Sequence, residues 1–508
     1  MSRILVTITP PTPNGGIHLG HLAGPFLAAD VFARAQRQLG HEAVLLCYSD
    51  DHQSYLARKA HELGETEEAV CRRHADDIAA TLAAAGVELD HFMRARDNPT
   101  FQRGVLGHFE LMRRHGAVSR ERRPVPYCEH CALYGYEAHA RGRCNVCGEW
   151  SDASQCEACA SAPDPARMRD LHCTRCRQPT GWRQVDRWVL DLGRFREALA
   201  QAHAETPMRA PLAGFIERAL AAPDLRWPIS RPHEHGVPVV IDGRPEILHT
   251  WFSGLAGYRA CFEEHAAQIG RPGRVREWWG SPDTVVAHFL GFDCSYSHAL
   301  AYRAILTALP SGPRQAHLYT NAFLKLDNLD FSTSRGHAIW ARDLLKTVSA
   351  DLLRLYLARV SPEDEARNFD SAEFARWHPT AGQRMAALQR AAREAGPVRW
   401  GAADLAPLAL LRDRWRMACD RPHFSVRALA AVVDDAMAFA LERARDGTEP
   451  PGAALAVLAG VARAVMPAFS DTLLAALGLP PAEINAWLAG DAPAGPRAEA
   501  GQTAAALA

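Results

Sequence analysis

The sequence has no run of apolar residues long enough to cross a membrane, which takes about 18 or more in succession. Residues 1–8 lead directly into a turn-rich segment, without the apolar stretch of a secretory leader. A strong excess of charge is also missing, because the formal net charge is −1. We therefore expect a cytoplasmic protein without a membrane segment. A uniformly basic nucleic-acid binder is excluded, although a local basic surface is not.

Lysine is scarce, with only Lys59, Lys325 and Lys346 among 508 residues, so arginine supplies nearly all the positive charge. Hydrophobic residues make up 48% of the chain and charged residues 23%, the balance of a globular protein. A chain of this length exceeds one ordinary hydrophobic core. We therefore expect two or three domains.

Strand-like and helical patterns alternate in the first part of the chain. Residues 3–9 and 43–47 form apolar, strand-like runs, and residues 22–39 and 54–63 have helical spacing. This order is typical of a nucleotide-binding α/β unit, whose ligand lies at the carboxyl ends of the strands. Further strand-like runs occur at residues 237–241, 284–287 and 317–326, before helices that begin near residue 341.

A glycine-rich turn follows the first predicted strand. Residues 9–21 read TPPTPNGGIHLGH, where Gly15 and Gly20 allow a ligand to approach the backbone closely. His18 and His21 are three residues apart and share one face of a first helical turn. Imidazoles at a helix start can stabilise the charge of a transferring phosphoryl group. Two histidines in a turn are equally compatible with ordinary surface residues, so the wider pattern must decide.

Eight of the thirteen cysteines form four Cys-x-x-Cys pairs between residues 128 and 176. Two such turns supply the four thiolates of a tetrahedral zinc site, so eight cysteines suit two structural zinc ions in a reducing compartment. Spacing alone allows nested or sequential pairing, and a redox role is a weaker alternative. The predicted ligands are Cys128, Cys131, Cys144, Cys147, Cys156, Cys159, Cys173 and Cys176.

Taken in order, these motifs resemble a class I aminoacyl-tRNA synthetase. The His-Ile-Gly-His element of that family corresponds to His18-Leu19-Gly20-His21, and the cysteine insertion is most similar to the methionyl members. The resemblance runs from about residue 3 to about residue 360. It implies an α/β fold with a Rossmann-type parallel sheet, a zinc-knuckle insertion and a C-terminal helical bundle. It also implies condensation of an amino acid with ATP and Mg to form an aminoacyl-adenylate.

The resemblance also implies how the chain is divided and how the cysteines pair. We expect a nested arrangement, in which the second and third pairs hold one zinc ion and the outer pairs share the other. The predicted segments are 1–115 (first half of the catalytic core), 116–225 (insertion with zinc knuckles), 226–345 (second half of the core), 346–486 (helices resembling an anticodon-binding domain) and 487–508 (flexible tail).

The family's functional positions map onto this sequence one by one. The positions implied for catalysis are His18, His21, Ser332, Ser334 and Arg335, and those implied for ATP are Asn14, Gly20, Gly291 and Asp293, the last on the ribose hydroxyls. The positions implied for the amino acid are Thr12, Asp51, Trp251, Tyr258, Cys294 and His298. Asp51 would bind the substrate ammonium, although adjacent acids often form only a solvated turn. Trp251, Tyr258 and His298 would form an aromatic wall, with plain core packing as the alternative.

Several positions depart from the family pattern in the amino-acid pocket. A pocket tyrosine of the family is Thr12 here, an Asp-Ala-Pro stretch is Ser253-Gly254-Leu255, and an aliphatic residue is Cys294. Losing an aromatic wall and gaining hydroxyl and thiol groups should weaken selection for a thioether side chain. We therefore predict a pocket altered away from methionine.

The second ATP signature of the family has lost both lysines. Its Lys-Met-Ser-Lys-Ser loop corresponds to residues 330–334, which read DFSTS, and the family lysine before the ribose aspartate is Phe292. General replacement of lysine by arginine does not explain aspartate and threonine at these positions. Losing one preorganised donor typically costs about 100- to 1000-fold in rate. Arg335 could supply the missing charge, or adenylation is slower or lost.

The C-terminal helices lack the residues with which relatives read an anticodon. The asparagine turn becomes residues 393–397 (REAGP), and residues 447–452 (GTEPPG) replace the Pro-Trp turn. Residues 401–490 carry eight arginines and ten acidic residues, a net charge of −2, which is poor for docking phosphates. Trp415 and Trp487 are more compatible with packing between helices than with stacking on bases.

The combined pattern favours an ATP-dependent ligase that activates an amino acid and transfers it to a non-tRNA acceptor. A hydroxylamine such as N6-hydroxylysine is one such acceptor, because some similar domains in specialised metabolism use it beside a cupin domain. This chain has no recognisable cupin segment, so a cupin-type partner would be a separate protein. The alternatives are an authentic methionyl-tRNA synthetase and a binding protein without catalysis.

Overall fold

The computed structural model describes residues 1–232, 235–332, 336–396, 398, 400, 402–446 and 451–490. The strands are β1 (Arg3–Ile8), β2 (Glu42–Ser49), β3 (His91–Arg94), β4 (Val118–Cys128), β5 (Leu133–Tyr134), β6 (Ala140–Arg143), β7 (Trp150–Asp152), β8 (Arg169–Cys173), β9 (Gly181–Asp191), β10 (Arg226–Pro228), β11 (Ser230–Arg231), β12 (Val237–Ile241), β13 (Arg244–Leu248), β14 (Val285–Gly291), β15 (Gln315–Asn321), β16 (Leu324–Leu326), β17 (Leu329–Asp330) and β18 (Arg367–Phe369).

The helices are α1 (Leu19–His21), α2 (Leu27–Gln38), α3 (Ser54–Leu63), α4 (Glu67–Ala84), α5 (Pro99–Arg114), α6 (Arg196–Ala204), α7 (Ala210–Ala221), α8 (Thr250–Ser253), α9 (Gly257–Gln268), α10 (Arg274–Trp279), α11 (Arg303–Ala308), α12 (Ala341–Leu344), α13 (Ala350–Arg359), α14 (Ser371–Glu394), α15 (Ala402–Cys419), α16 (Val426–Asp446), α17 (Gly452–Ala462), α18 (Pro467–Ala476) and α19 (Pro481–Ala489). Short π-helical segments at Leu22–Phe26 and Tyr296–Tyr302 lead into α2 and α11.

The central sheet is fully parallel, with its five strands in the order β15-β14-β1-β2-β3. Strands of this kind are buried on both faces and are therefore continuously apolar, as β1 (RILVTI) is. The chain leaves β1 toward β2 on one side, and β14 pairs with its other side. Such a reversal opens a crevice at the carboxyl ends of the strands, where ligands of open α/β sheets bind.

Four smaller sheets surround the central one. In the inserted segment, β4 and β9 pair antiparallel over ten residue pairs, and β10 and β5 flank them. The sheet β7-β6-β8 carries cysteine turns at its ends, and the sheet β11-β13-β12 connects the insertion to the second half of the core. The sheet β17-β16-β18 lies just after β15 in the chain. The insertion is therefore built as separate small sheets and does not extend the central one.

A buried ion pair joins the central core to the C-terminal helices. Arg354 of α13 is 1% exposed and donates to Asp30 of α2 at 2.5 Å. The same guanidinium donates to the carbonyl oxygens of Ala464 and Val465, before α18, and of Gly86, after α4. Because a charge this deep must be fully hydrogen-bonded, these contacts fix α13 against both parts of the molecule.

The predicted α/β fold class is confirmed, with a parallel sheet, a cysteine-rich insertion and C-terminal helices. Helix α3 and strand β12 have the predicted ends, whereas the run at 317–326 is divided into β15 and β16. The predicted start of a tail at residue 487 is wrong, because α19 continues to Ala489. Trp487 is 3% exposed there and stacks on Trp400 at 5.4 Å. Trp415 is fully buried.

None of the helices in the described part of the chain is long and apolar enough to span a bilayer. The predicted segment boundaries other than this tail start stay predictions.

Candidate active site

The turn that contains His18 and His21 (the histidine turn) lies at the carboxyl end of β1. His18 precedes α1 with an extended backbone, and its Nδ1 accepts from the His21 backbone N–H at 3.3 Å. The two imidazoles stack with their centroids 3.6 Å apart. A Cβ on Gly20 would lie 3.0 Å from the His18 ring, so glycine is required for this ring position. The predicted pair therefore forms one compact unit.

Both imidazoles are neutral at physiological pH. Desolvation and the neighbouring His21 lower the pKa of His18 to about 2. Desolvation also lowers the pKa of His21, although this residue is exposed and the shift is therefore the weaker of the two. A neutral imidazole still donates one N–H, and an arriving polyphosphate would raise both pKa values. The pair is therefore suited to hydrogen bonding with phosphate oxygens.

Residues 330–332, the described part of the segment that replaces the lysine loop, lie close to this pair. The Phe331 ring stacks on the His18 ring at 4.7 Å, and Ser332 pairs with His337 through two backbone hydrogen bonds of 2.8 and 2.9 Å. His337 Nε2 contacts the Leu326 carbonyl oxygen at 2.9 Å. The structure thus places Ser332 near the histidine turn. The predicted Ser334 and Arg335 lie outside the described residues.

An aromatic wall lines the crevice beside β14. The Tyr258 hydroxyl donates to His298 Nε2 at 2.6 Å, and His298 Nδ1 lies 3.0 Å from the Cys294 carbonyl oxygen. These contacts assign the imidazole proton to Nδ1, and burial lowers the pKa of His298 to about 4. Trp251 is half-buried two residues after His249, and the two rings are 5.1 Å apart. Thr12 and Asn14 are half-buried in the turn after β1.

Tyr48, at the end of β2, is a pocket residue that the sequence interpretation missed. Its hydroxyl donates to the Gly254 carbonyl oxygen, and its ring meets the Tyr258 ring edge-on at 5.6 Å. A Cβ on Gly257 would lie 2.3 Å from the Tyr48 ring, so Gly257 must be glycine for the ring to fit. The available signal was an aromatic residue in β2 together with unexplained glycines at residues 254 and 257.

Adjacent carboxylates after β2 have different surroundings. Asp51 is 1% exposed, and its Oδ2 accepts from the backbone N–H groups of Ala95 and Arg96 at 3.0 and 2.9 Å. Asp50 accepts from Gln53 at 2.5 Å and interacts electrostatically with Cys294 of the aromatic pocket. Residues 48 and 50 also share one side of an extended chain. Asp51 Oδ2 therefore holds the loop after β3, while its buried Oδ1 has no hydrogen-bond partner among the described residues, and Asp50 lies electrostatically close to the pocket at Cys294.

Amino-acid binding is expected to weaken below neutral pH. Burial, with smaller contributions from Glu137 and Asp51, raises the pKa of Asp50 to about 7. Below that pH Asp50 is neutral and cannot pair with a substrate ammonium, so KM for the amino acid should rise roughly tenfold per pH unit and level off above pH 7. The pH profile of pyrophosphate exchange measures this. A KM that stays flat from pH 5 to 8 would contradict a role for Asp50.

The predicted ribose-binding residue contacts the cysteine insertion. Asp293 Oδ2 accepts from Gln155 Nε2 at 3.1 Å, and desolvation raises the pKa of Asp293 to about 6. A Cβ on Gly291 would lie 2.5 Å from Asp293 Oδ1, so this glycine gives the carboxylate its position. Phe292 turns away and packs edge-on against Phe215 of α7. Gln155 precedes Cys156 of the inner cysteine set, which consists of Cys144, Cys147, Cys156 and Cys159. This set therefore borders the crevice.

The cysteines form two separate clusters of four free thiols. One contains Cys128, Cys131, Cys173 and Cys176, and the other contains Cys144, Cys147, Cys156 and Cys159. Within each cluster the sulfur atoms lie within 4.8 Å of one another, which suits a tetrahedral zinc ion. The nested pairing implied by the resemblance is the one observed. Four thiolates leave no open position, so zinc here would be structural.

A buried carboxylate connects the insertion to the core, and no sequence motif pointed to it. Glu137 is fully buried, forms an ion pair with Arg231 and accepts from the Ser54 hydroxyl at 2.7 Å. Although burial opposes ionisation, Arg231 and His249 lower the pKa of Glu137 to about 2. The Ser154 hydroxyl of the inner cysteine set accepts from the Glu137 backbone N–H at 3.1 Å. Helix α3, the insertion and β11 therefore meet at one side chain.

Metal analysis of the purified protein is expected to find two zinc ions per chain, one for each cluster. Cys131→Ser and Cys147→Ser should each lose one ion, because each removes a thiolate from a different cluster. Cys71→Ser is the control, since Cys71 lies in α4 outside both clusters. One ion or none in the unaltered protein would contradict the two-site interpretation.

Comparison with known proteins gives the family. The family described as tRNA synthetases class I (M) matches residues 4–380 of the 508 in the chain. The chain belongs to the class I aminoacyl-tRNA synthetases. The chain is 29% identical over 394 residues to the methionine–tRNA ligase of Pyrococcus furiosus, covering 74% of the chain and 54% of that relative. It is 29% identical over 363 residues to the methionine–tRNA ligase of Thermomicrobium roseum, covering 71% and 62%.

A solved structure matches this chain over nearly the whole length of both proteins. Mycobacterium tuberculosis methionyl-tRNA synthetase in complex with methionyl-adenylate superimposes with a TM-score of 0.72. The match covers 99% of each chain at 18% sequence identity, which establishes a shared fold. By sequence, the matched region spans 54% of the first relative and 62% of the second.

Proposed function

We propose that this synthetase condenses an amino acid with ATP, releases pyrophosphate and holds the aminoacyl-adenylate. The observation that carries the proposal is the arrangement at the carboxyl ends of three adjacent strands. The histidine turn follows β1, Asp50 follows β2, and Asp293 follows β14. One strand end thus offers donors to phosphates, the next a carboxylate to an ammonium, and the third a carboxylate to ribose. The family membership supports the same chemistry.

Each group has a task in the adenylation step. A substrate carboxylate oxygen attacks the α-phosphorus of ATP, the bond to the β-phosphate oxygen breaks, and pyrophosphate leaves with Mg. The N–H groups of His18 and His21 would donate to phosphate oxygens as their charge increases. Gly20 keeps the His18 ring in place. Asp50 would pair with the ammonium while the side chain lies against Tyr258 and Trp251. The catalytic work is therefore mostly orientation and charge stabilisation.

The replaced lysine loop should slow this step without removing it. Phe331 stacks on His18, and the Ser332 backbone pairs with that of His337, so residues 331 and 332 remain close to the histidine turn. Lys325, in β16, and the predicted Arg335 would be the remaining cations of this part of the chain. We infer that adenylation proceeds with fewer cations on the triphosphate than in relatives that keep both lysines.

Pyrophosphate exchange across a panel of amino acids, without RNA, tests this proposal. Exchange with one amino acid names the substrate and shows that the altered loop supports adenylation. Exchange with methionine alone would contradict the predicted change of the pocket. No exchange with any amino acid would contradict the proposed function.

Two acceptors fit the second step. The names of the relatives describe ligation to tRNA, which supports a tRNA acceptor for this chain. Specific features favour a non-tRNA acceptor instead: the bundle carries a net charge of −2 over residues 401–490, and Trp415 and Trp487 are buried in it and therefore cannot stack on bases. Charging of total tRNA, compared with AMP release caused by small nucleophiles, separates the two. A cupin-type partner protein stays a prediction of the sequence.

A further inference from the structure

A glutamine of the inserted segment reaches the ATP side of the crevice. Gln155 follows β7, and its Nε2 donates to Asp293 Oδ2, although the two residues are 138 apart in the chain. The Gln155 side chain also hydrogen-bonds with the Cys294 thiol. Asp293 is the proposed ribose ligand, and Cys294 borders the amino-acid pocket. One amide therefore contacts the two residues at which the proposed ATP and amino-acid subsites meet.

The backbone of Gln155 is held in a hydrogen-bonded turn. Asp152 Oδ1 accepts from the backbone N–H groups of Ser154 and Gln155, both at 2.7 Å. The Ser151 hydroxyl donates to the Gln155 carbonyl oxygen at 3.0 Å. An aspartate that accepts from the backbone two and three residues further on stabilises such a turn with its own side chain. The Gln155 side chain therefore starts from a fixed point.

This turn is attached to the core by further hydrogen bonds. The Tyr55 hydroxyl of α3 donates to Asp152 Oδ2 at 2.5 Å. The Ser154 hydroxyl accepts from the Glu137 backbone N–H, and the Glu137 carboxylate accepts from Ser54, the first residue of α3. A continuous series of hydrogen bonds therefore leads from α3 through the turn to the proposed ribose ligand.

The surroundings of the Asp293 carboxylate show what the amide contributes. Desolvation and the charge of Glu157 raise the pKa of Asp293, whereas the Gln155 amide lowers it. The amide thus opposes two influences that favour the neutral acid. Asp293 Oδ1 lies against Gly291, where a Cβ would be 2.5 Å away, and Oδ2 is bound by Gln155. The carboxylate is therefore oriented before ATP arrives.

We infer that Gln155 is a positioning residue, whose amide holds the Asp293 carboxylate in the orientation that binds the ribose hydroxyls of ATP. The inference rests on the proposed function. A carboxylate that is already oriented loses less freedom on binding, so ATP binds more tightly. The ribose hydroxyls take no part in the bond changes at the α-phosphorus, so Gln155 acts on ATP binding and not on the chemical step.

The test compares two nucleotides in pyrophosphate exchange, with the amino acid that the unaltered protein activates. Gln155→Met keeps the length of the side chain and removes its amide. KM for ATP should rise about three- to tenfold, the range of one hydrogen bond, while kcat stays within about twofold. For 2′,3′-dideoxy-ATP, which has neither hydroxyl, KM should not change. Its competitive inhibition constant against ATP replaces KM if this nucleotide is not turned over.

Two further variants show whether Gln155 acts through Asp293. Gln155→Glu keeps the shape but places an acceptor beside the carboxylate, so it should raise KM for ATP more than Gln155→Met does. In an Asp293→Ala background, Gln155→Met should add no more than about twofold, because no carboxylate is left to position. The matched control is Gln184→Met, which changes an exposed glutamine of β9 in the same insertion and should keep both KM values.

Zinc content and thermal melts check that each variant keeps the inner cysteine cluster, because Gln155 adjoins Cys156. Both should equal those of the unaltered protein. If Gln155→Met loses zinc, Gln155→Glu decides in its place, since it retains the shape of the glutamine. Its KM for ATP should then rise while that for dideoxy-ATP stays unchanged.

Three results would overturn the inference while the unaltered protein still catalyses exchange. The first is an unchanged KM for ATP in Gln155→Met, or in Gln155→Glu where that variant decides. The second is an equal rise for ATP and dideoxy-ATP, which would show a general loosening of the crevice. The third is a full effect of Gln155→Met in the Asp293→Ala background. Absence of exchange in the unaltered protein would instead contradict the proposed function, and the inference with it.

Discussion

Replacing His18 with alanine is expected to lower the rate of pyrophosphate exchange about 100- to 1000-fold, the usual loss when one preorganised donor is removed. The imidazole is held by stacking on His21 and Phe331 and by the His21 backbone N–H, so its position is fixed before ATP arrives. The fold should survive, because His18 is only half-buried. Steady-state exchange kinetics and a thermal melt measure the two effects.

The control for this variant is His61→Ala, which removes an imidazole from the exposed face of α3. It should keep the exchange rate of the unaltered protein. The His18→Ala/His21→Ala double variant should lose less than the sum of the two single losses, because the rings act as one stacked unit. A fully active double variant would rule out the histidine turn as the phosphate site.

Asp50→Asn is expected to lower kcat/KM for the amino acid at least about 30-fold, because a buried charged partner of the substrate ammonium is lost. Asp51→Asn should have little effect on KM. Its Oδ2 accepts two backbone N–H groups, and an asparagine oxygen can accept the same bonds. The two substitutions change the same atoms in adjacent residues, so each is the matched control of the other.

The opposite pattern would support the role that the family resemblance implied for Asp51. If Asp51→Asn raises KM and Asp50→Asn does not, the substrate ammonium pairs with Asp51. Equal, small effects of both substitutions would show that neither carboxylate binds the amino acid. Thermal melts of both variants check that neither change acts through folding.

The sequence located the motifs, but it could not show which of two adjacent carboxylates faces the pocket. The histidine turn, the cysteine pairs and the strand ends could be located because each has a short, recognisable spacing. Asp50 and Asp51 differ only in the direction of their side chains, and a shift of one residue along an extended chain reverses that direction. Matching an acidic pair by motif therefore cannot choose between them.

Contacts between distant segments account for the other residues that were missed. Tyr48 enters the pocket only because Gly257, about 200 residues later, leaves room for its ring. Glu137 and Arg231 belong to different segments that meet only in the folded protein. The cysteine spacing likewise allowed two pairings, and the strands β6 and β8 decide between them by pairing antiparallel. Such long-range pairings carry no signal in local composition.

The central claim is that an amino acid becomes an adenylate in the crevice above β1, β2 and β14. Mass spectrometry of the protein, after incubation with ATP, Mg and a mixture of amino acids, tests it most directly. The account predicts one aminoacyl-adenylate bound to the unaltered protein and none bound to the His18→Ala/His21→Ala double variant. ATP without any adenylate in the unaltered protein, or an adenylate that persists in the double variant, would contradict it.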